Sequence, residues 1–598
     1  MKTTTASKSV NIVLIVALVL VLAGNILASS IQTVGGTVTI KDIRFMGTNG
    51  IQMSGLLYIP KSIYSTDAKG ATVVTPAPGI LAIHGYINSR ETQDGFAIEY
   101  ARRGYVVLAL DQTGHGYSDG PAFANGFGGP DGLAYLHSLN IVDPNNIGIS
   151  GHSMGGWAVV VAAQTLPTYY KSMVLEGSST GTFGGNPGDA TFPHNLGLIY
   201  SKFDEFAPLM WGIPIALNAG SGPKLEAQFA TTSPVIPNQL YGSIADGTAR
   251  YWYQPTTNHP GDTFSTVAIG DAVDWFQKTL SGGSSLPPSN QIWYWKEIGN
   301  LIALIGFFLF LFPLGSLLLK TRFFGDVAEP MPVAKPAIGW GWWLGAVLSI
   351  AIPIATYYPM LTSTYVKLGT LTPQTITNGV MTWALVNAVI FLVLFLLWHF
   401  FLNKKAGGNF HSYGLTWEGG KLRWGKIGKS LLLAIIVTFS GYLLLAMSDF
   451  FFKTDFRIYV FAVKLMSLTQ FKVYLGYLIP FFVYFFIAGM VLNAQMRLDS
   501  EKAQAPMWKA MLVNVVLMIV PYIILNLWEY IPLYMGKALP NDALTTIVMY
   551  QFIPILGISG ALSTFFFRKT GHVWVGAFLN TMILVWIMVA GTAIQFAL

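Results

Sequence analysis

Apolar residues run unbroken through Ile12–Gly24 and recur in eight later segments, near 298–319, 339–359, 380–402, 430–448, 473–493, 510–528, 545–567 and 573–597. Each of the eight is long enough to cross a bilayer as a helix, which takes roughly 20 residues. The region between follows another pattern. In residues 31–280 short β-rich apolar runs, Gly79–His84, Val106–Asp111, Ile147–Ser150 and Met173–Glu176, alternate with stretches of helical character. Continuous apolar strands separated by helices predict an α/β domain whose mostly parallel sheet is buried on both faces. The turn-rich Ser281–Asn290 reads as a flexible connection, so residues 281–297 are assigned as linker and 298–598 as an all-α polytopic membrane domain.

Lys2 and Lys8 precede the first apolar run and Leu27-Ala28-Ser29-Ser30 follows it, so residues 1–30 fit either a signal anchor or a cleaved signal peptide. Both place residues 31–280 outside the cytoplasm. Counting loops from that orientation, those assigned to the cytoplasm (320–335, 404–429, 497–509 and 568–569) carry 14 Lys or Arg and the outward ones seven, in accord with the positive-inside rule. The expected location is a cell membrane crossed several times.

With 53% apolar and 11% charged residues, a wholly soluble enzyme is not expected. The net charge of +7 divides into −6 over residues 29–290 (12 basic, 18 acidic) and +11 over 291–598 (21 basic, 10 acidic), with Lys2 and Lys8 making up the difference. The basic excess therefore belongs to membrane-flanking loops and gives no reason to expect a nucleic-acid partner. The absence of cysteine excludes thiolate chemistry, and nine scattered histidines without ligand spacing predict no metal; no cofactor is expected. In the outward loop 449–472, Lys453, Arg457, Lys464 and Lys472 share one side at helical periodicity, which predicts a basic surface helix suited to lipid headgroups or to the acidic domain.

The candidate chemistry begins at Gly151-His152-Ser153-Met154-Gly155-Gly156, between the strand-like IGIS and a helical stretch. This is G-x-S-x-G in strand–turn–helix context, where small neighbours let a serine hydroxyl stand at the carboxyl edge of a sheet. Ile83-His84-Gly85-Tyr86 ends an earlier strand, and Asp111-Gln112-Thr113-Gly114-His115-Gly116-Tyr117-Ser118 forms a D-x-x-G-x-G-x-S turn.

With these motifs residues 37–280 resemble the α/β-hydrolase family, particularly its esterase, lipase and dienelactone-hydrolase-like branches; the membrane half shares no part of the resemblance. The resemblance implies Ser153 as nucleophile, with the backbone N–H groups of Met154 and Tyr86 as oxyanion hole, and His84 as structural. It also implies the order serine, acid, histidine. Asp204, after the strand-like LIYS, fills the acid position, with adjoining Glu205 and then Asp189 as alternatives; His259, after the strand-like ARYWYQ, fills the base position ahead of His194. The implied activity is acyl transfer on carboxylic esters, hydrophobic or lipid-like ones given the membrane half. The interval from 209 to 217, rich in Met, Trp and Ile, suggests a cap or acyl pocket. A different class stays open: a membrane transport or sensing protein with a hydrolase-like binding module. His399 as the single ionisable side chain within the expected spans weighs against ion-coupled transport.

Overall fold

The computed structural model describes residues 2–363, 369–500 and 503–595; the last residues of the segment expected at 573–597 lie outside these. After helix α1 (Lys2–Gln32), nine strands form one sheet: β1 (Val38–Met46), β2 (Gln52–Pro60), β3 (Ala77–Ile83), β4 (Val106–Asp111), β5 (Val142–His152), β6 (Ser172–Glu176), β7 (Leu196–Ile199), β8 (Leu240–Tyr241) and β9 (Arg250–Tyr253). Their order is β1-β2-β4-β3-β5-β6-β7-β9-β8. The run from β4 to β9 is parallel throughout, while β1, β2 and β8 pair antiparallel at the edges.

Every residue of β3, β4 and β6 is buried. The pleat explains why. Leu81, Ile83, Leu108 and Leu110 pack under helices α3 (Gly129–Ser138) and α4 (Met154–Thr165), while Ile80, Ala82, Val107 and Ala109 face α2 (Asp94–Arg102) and α5 (Thr266–Thr279). From β3 the chain turns to β4 on one side, and β5 lies on the other. The carboxyl ends of β3 and β5 therefore flank the point where strand order reverses, the usual crevice for a ligand in such sheets.

The remaining chain is mainly helical: α6 (Trp293–Leu318), α7 (Trp340–Leu361), α8 (Thr375–Trp398), α9 (Trp424–Phe452), α10 (Leu468–Met490), α11 (Met507–Tyr534), α12 (Ala543–Thr570) and α13 (Trp574–Ala590). Among the described residues eight helices, α1 and α6 to α12, are long and apolar enough to cross a membrane; α13, expected to be a full span, is shorter at 17 residues. Helix α1 belongs to this bundle. Its Gly24 meets Gly299 of α6 so closely that a Cβ there would lie 2.4 Å from the Gly299 carbonyl oxygen, and Asn25 Nδ2 donates to Ser448 Oγ of α9 at 2.7 Å. Small residues permit such backbone approach between membrane helices.

Three expectations are corrected. The connection 281–290 is pinned, because buried Arg103 spends its guanidinium on the carbonyls of Leu286, Pro287 and Asn290 at 3.2, 2.6 and 3.0 Å. The membrane helix starts at Trp293, inside the assigned linker, since Lys296 in its first turns pairs with Asp94 of the sheet domain. The basic loop 449–472 is not a surface helix. It forms a two-stranded antiparallel hairpin, Phe456–Ile458 with Phe461–Val463, whose Phe, Ile and Val side chains suit strands. Arg457 is 1% exposed and lies 3.5 Å from Glu91, and Lys464 Nζ donates to Ser89 Oγ at 2.6 Å, so this loop docks the bundle onto the acidic sheet domain.

Candidate active site

Ser153 sits between β5 and α4 with φ 54° and ψ −120°, a strained conformation for a residue with a side chain. The surrounding glycines are sterically required. A Cβ on Gly151 would lie 2.2 Å from the Gly155 carbonyl oxygen, and one on Gly155 would lie 2.1 Å from that of Ile83. The turn is fixed by the Ser153 N–H donating to the Glu176 carbonyl at 2.8 Å and by Ser178 Oγ donating to the Ser153 carbonyl at 2.7 Å. Met154, next in sequence, is the first residue of α4, where N–H groups have no intrahelical acceptor.

Opposite the turn, His259 is held at three points. Its Nδ1 lies 2.8 Å from Asp204 Oδ2, its backbone N–H donates to Glu205 Oε2 at 2.7 Å, and its carbonyl accepts from His152 Nε2 at 2.9 Å. The ring therefore carries its proton on Nδ1 toward the carboxylate, leaving Nε2 as acceptor. Burial disfavours the charged ring, but the Asp204 charge and hydrogen bond, joined by the Glu205 charge, outweigh it and raise His259 above the ordinary histidine value. Burial, reinforced by nearby His259, pushes His152 down to about 3, so it stays neutral and serves as a clamp.

The acid alternatives separate cleanly. Asp204 faces the imidazole, whereas Glu205 holds the His259 backbone and accepts from the hydroxyl of Tyr530, on membrane helix α11, at 2.7 Å. Burial and then the Asp204 charge push Glu205 up to about 7. Asp189 instead closes its own turn by accepting from the N–H groups of Thr191 and Phe192, and the His194 ring packs at a tilt against Tyr170. A further acid, Asp262, had no sequence signal beyond lying near His259. It accepts from Ser201, and burial above all, followed by the Asp204 charge, holds it well above the carboxylate range. Gly177, with φ +54°, makes room for this cluster; a Cβ there would lie 2.9 Å from His259 Nδ1 and 3.1 Å from Asp262 Oδ2.

The loop after β3 carries Tyr86, whose carbonyl accepts from His115 Nε2 at 2.7 Å. His84 accepts from the Gln112 N–H at 3.2 Å and stays away from the cavity, and Asp111 accepts from the N–H groups of Arg90 and Tyr117, so both are structural. Ser153, Met154, Tyr86, Asp204 and His259 line one cavity of about 680 Å³. Of the apolar interval, Leu209, Met210 and Pro214 reach this cavity, while Trp211 and Ile213 turn into the core.

The membrane bundle supplies the rest of the wall. Val460 of the hairpin, Leu533 of α11 and residues between 538 and 551 border the same space. The Tyr86 hydroxyl accepts from Gln595, the Asn88 N–H donates to the Gly591 carbonyl at 2.9 Å, and Asn258 Nδ2 donates to the Tyr550 hydroxyl at 3.0 Å. No spacing in the sequence reveals such pairs, because their members lie hundreds of residues apart. Among the described residues no group of three or more His, Asp or Glu is arranged to hold a metal.

A parallel sheet covered on both faces, with a serine on a strained turn at its switch point, defines an α/β-hydrolase domain. Residues 78–256 match the family model described as alpha/beta hydrolase fold, and this part of the chain belongs to that family. Over 105 residues the chain is 32% identical to an uncharacterized protein of Mycobacterium tuberculosis strain H37Rv; the match covers 16% of this chain, which spans 28% of the length of that relative. Similar solved structures include a Pyrococcus furiosus esterase, at 16% identity over 42% of this chain and 94% of that one with a TM-score of 0.30. Another is a dienelactone hydrolase-like promiscuous phosphotriesterase from metagenomic libraries, at 13% identity over 41% of this chain and all of that one with a TM-score of 0.29.

The neighbour of the acid can be tested directly. Glu205→Gln keeps an acceptor for the His259 N–H, so turnover at alkaline pH falls by no more than about tenfold. A general base at His259 works only while its ring is neutral, so activity that depends on it is expected to fall as pH falls through its raised pKa. Removing the Glu205 charge lowers that pKa, and the acid limb of kcat/KM against pH moves to lower pH. An unmoved limb contradicts this electrostatic role.

Proposed function

We propose that the protein is a membrane-anchored serine hydrolase that cleaves carboxylic esters of hydrophobic or lipid-like character at an extracytoplasmic site. The observation that carries this reading is the 2.8 Å pairing of His259 Nδ1 with Asp204 in the cavity that contains Ser153 on its strained turn. In this reading Ser153 Oγ attacks the ester carbonyl while its proton passes to His259 Nε2. Asp204 holds the imidazole and the imidazolium that forms. The N–H groups of Met154 and Tyr86 receive the oxyanion. Collapse of the tetrahedral intermediate releases the alcohol, which takes the proton from His259, and leaves the acyl group on Ser153. Water deprotonated by His259 then repeats the attack, freeing the carboxylic acid and restoring the serine.

The lipid-like substrate is supported by a cavity with walls from both the hydrolase domain and the membrane bundle. Phe183, 59% exposed, and Phe123, 45% exposed, make its outer rim apolar. The alternative of a binding module has less support, since binding alone calls for neither the strained serine nor the paired imidazole. The test uses the full-length protein in lipid with esters of increasing acyl length, and kcat/KM is expected to rise with length. A flat or falling series contradicts the lipid-like assignment. For sidedness, epitope tags in the exposed turn 67–70 should be reached from outside intact cells, and tags in 404–408 only after permeabilisation; access to both from one side contradicts the assigned orientation.

A further inference from the structure

Asn541 and Asp542, between α11 and α12, border two spaces. One is the cavity that holds Ser153. The other is an open groove of about 560 Å³ between α7 and α11, walled by Ile354, Ala355, Tyr358, Pro359, Leu525 and Trp528. These wall residues occupy the ends of α7 and α11 nearest the hydrolase domain, as the Tyr530–Glu205 contact on the same α11 turn shows. Trp528 is 59% exposed and Ala355 is exposed as well, so in a membrane the groove opens onto lipid tails.

The border between the two spaces is polar and fixed in place. Asn541 donates from Nδ2 to Glu529 Oε1 at 2.6 Å and from its N–H to Glu529 Oε2 at 3.1 Å, and Asp542 caps α12 by accepting from the Thr545 N–H at 2.8 Å. An apolar approach that ends at anchored polar groups beside the proposed nucleophile fits an amphiphile whose ester lies at headgroup level and whose chain lies in hydrocarbon. Another intramembrane space touches the active-site cavity at Ile87 and Gln551, but at about 40 Å³ it has room for little more than one water molecule. The groove is the wider approach.

We propose that the groove between α7 and α11 delivers a long-chain ester from the outer half of the bilayer, across Asn541 and Asp542, to Ser153. This rests on the reading of Ser153 as nucleophile. On this route the acyl chain stays in hydrocarbon up to that polar border, whereas a path through water exposes each of its methylenes at a free-energy cost. Short soluble esters use the rim at Phe123 and Phe183 instead.

The test is Ala355→Trp, which fills the groove from an exposed position without touching the catalytic or binding machinery. The full-length variant in phosphatidylcholine vesicles is assayed with p-nitrophenyl acetate and p-nitrophenyl palmitate, alongside fluorophosphonate labelling. The expected result is a fall of about tenfold or more in palmitate kcat/KM, with acetate hydrolysis and labelling unchanged. Because the chain has no native cysteine, Ala355→Cys provides a second variant, folded first and then modified with pyrene maleimide. It should match wild type before modification and lose palmitate hydrolysis alone afterwards. Palmitate turnover within twofold of wild type in both blocked proteins overturns the route, and so does an equal fall on both esters after modification. Failure of the wild-type protein to label or to hydrolyse acetate removes the Ser153 reading itself and is recognisably a different outcome.

Discussion

Replacement of Ser153 by alanine is expected to reduce ester turnover by about a millionfold, the loss seen when the serine of a working triad is removed. The effect is this large because, among the described residues, no other group lining the cavity offers an oxygen nucleophile backed by a base. Among the described residues, His259 is the one imidazole there with a carboxylate on Nδ1; His152, which also borders the cavity, is committed to the His259 carbonyl at 2.9 Å. Alanine at 153 removes only a hydroxyl from a half-buried turn that is fixed by backbone bonds, so expression and thermal stability should match wild type. Turnover within a hundredfold of wild type would contradict the assignment.

His259→Ala is expected to cost about as much as loss of the serine, and Asp204→Asn about ten-thousandfold. The difference follows from what each group does. Without the imidazole the Ser153 proton has no acceptor, whereas asparagine at 204 keeps the position but offers an amide that favours the wrong ring tautomer. Because Asp204 and His259 are buried, each variant requires a thermal unfolding midpoint as a control. The contrast with Glu205→Gln is decisive between adjoining acids: Asp204→Asn should be the severe variant and Glu205→Gln the mild one. The reverse ranking would transfer the orienting role to Glu205.

The sheet domain was legible because its signals are local. Gly79–His84, Val106–Asp111 and Met173–Glu176 are continuous apolar runs, and they became fully buried parallel strands. The glycines of Gly151–Gly156 announced a tight turn and are the positions where the structure has no room for a Cβ. What the sequence did not disclose depends on contacts between distant segments. Residues 456–463, Phe, Arg, Ile, Tyr, Val, Phe, Ala, Val, are rich in aromatic and β-branched side chains, which suits strands, yet spacing the four cations at helical intervals hid it. Ser281–Asn290 has the composition of a tether and loses its freedom only because Arg103, far upstream, gathers its carbonyls. The same holds for Lys296 with Asp94 and for Tyr530 with Glu205, charged or polar side chains near membrane helix ends that find their partners in the other domain. Apolar periodicity delimits helices by hydropathy alone and so stopped α6 short of these residues.

The most direct measurement is the site of covalent capture. Full-length protein in lipid is treated with a fluorophosphonate, digested, and the modified peptide is sequenced by mass spectrometry. The account predicts a single phosphonylated residue, Ser153, with capture abolished by prior denaturation. A stable adduct on any other residue, or no adduct on a protein that still hydrolyses esters, would contradict it.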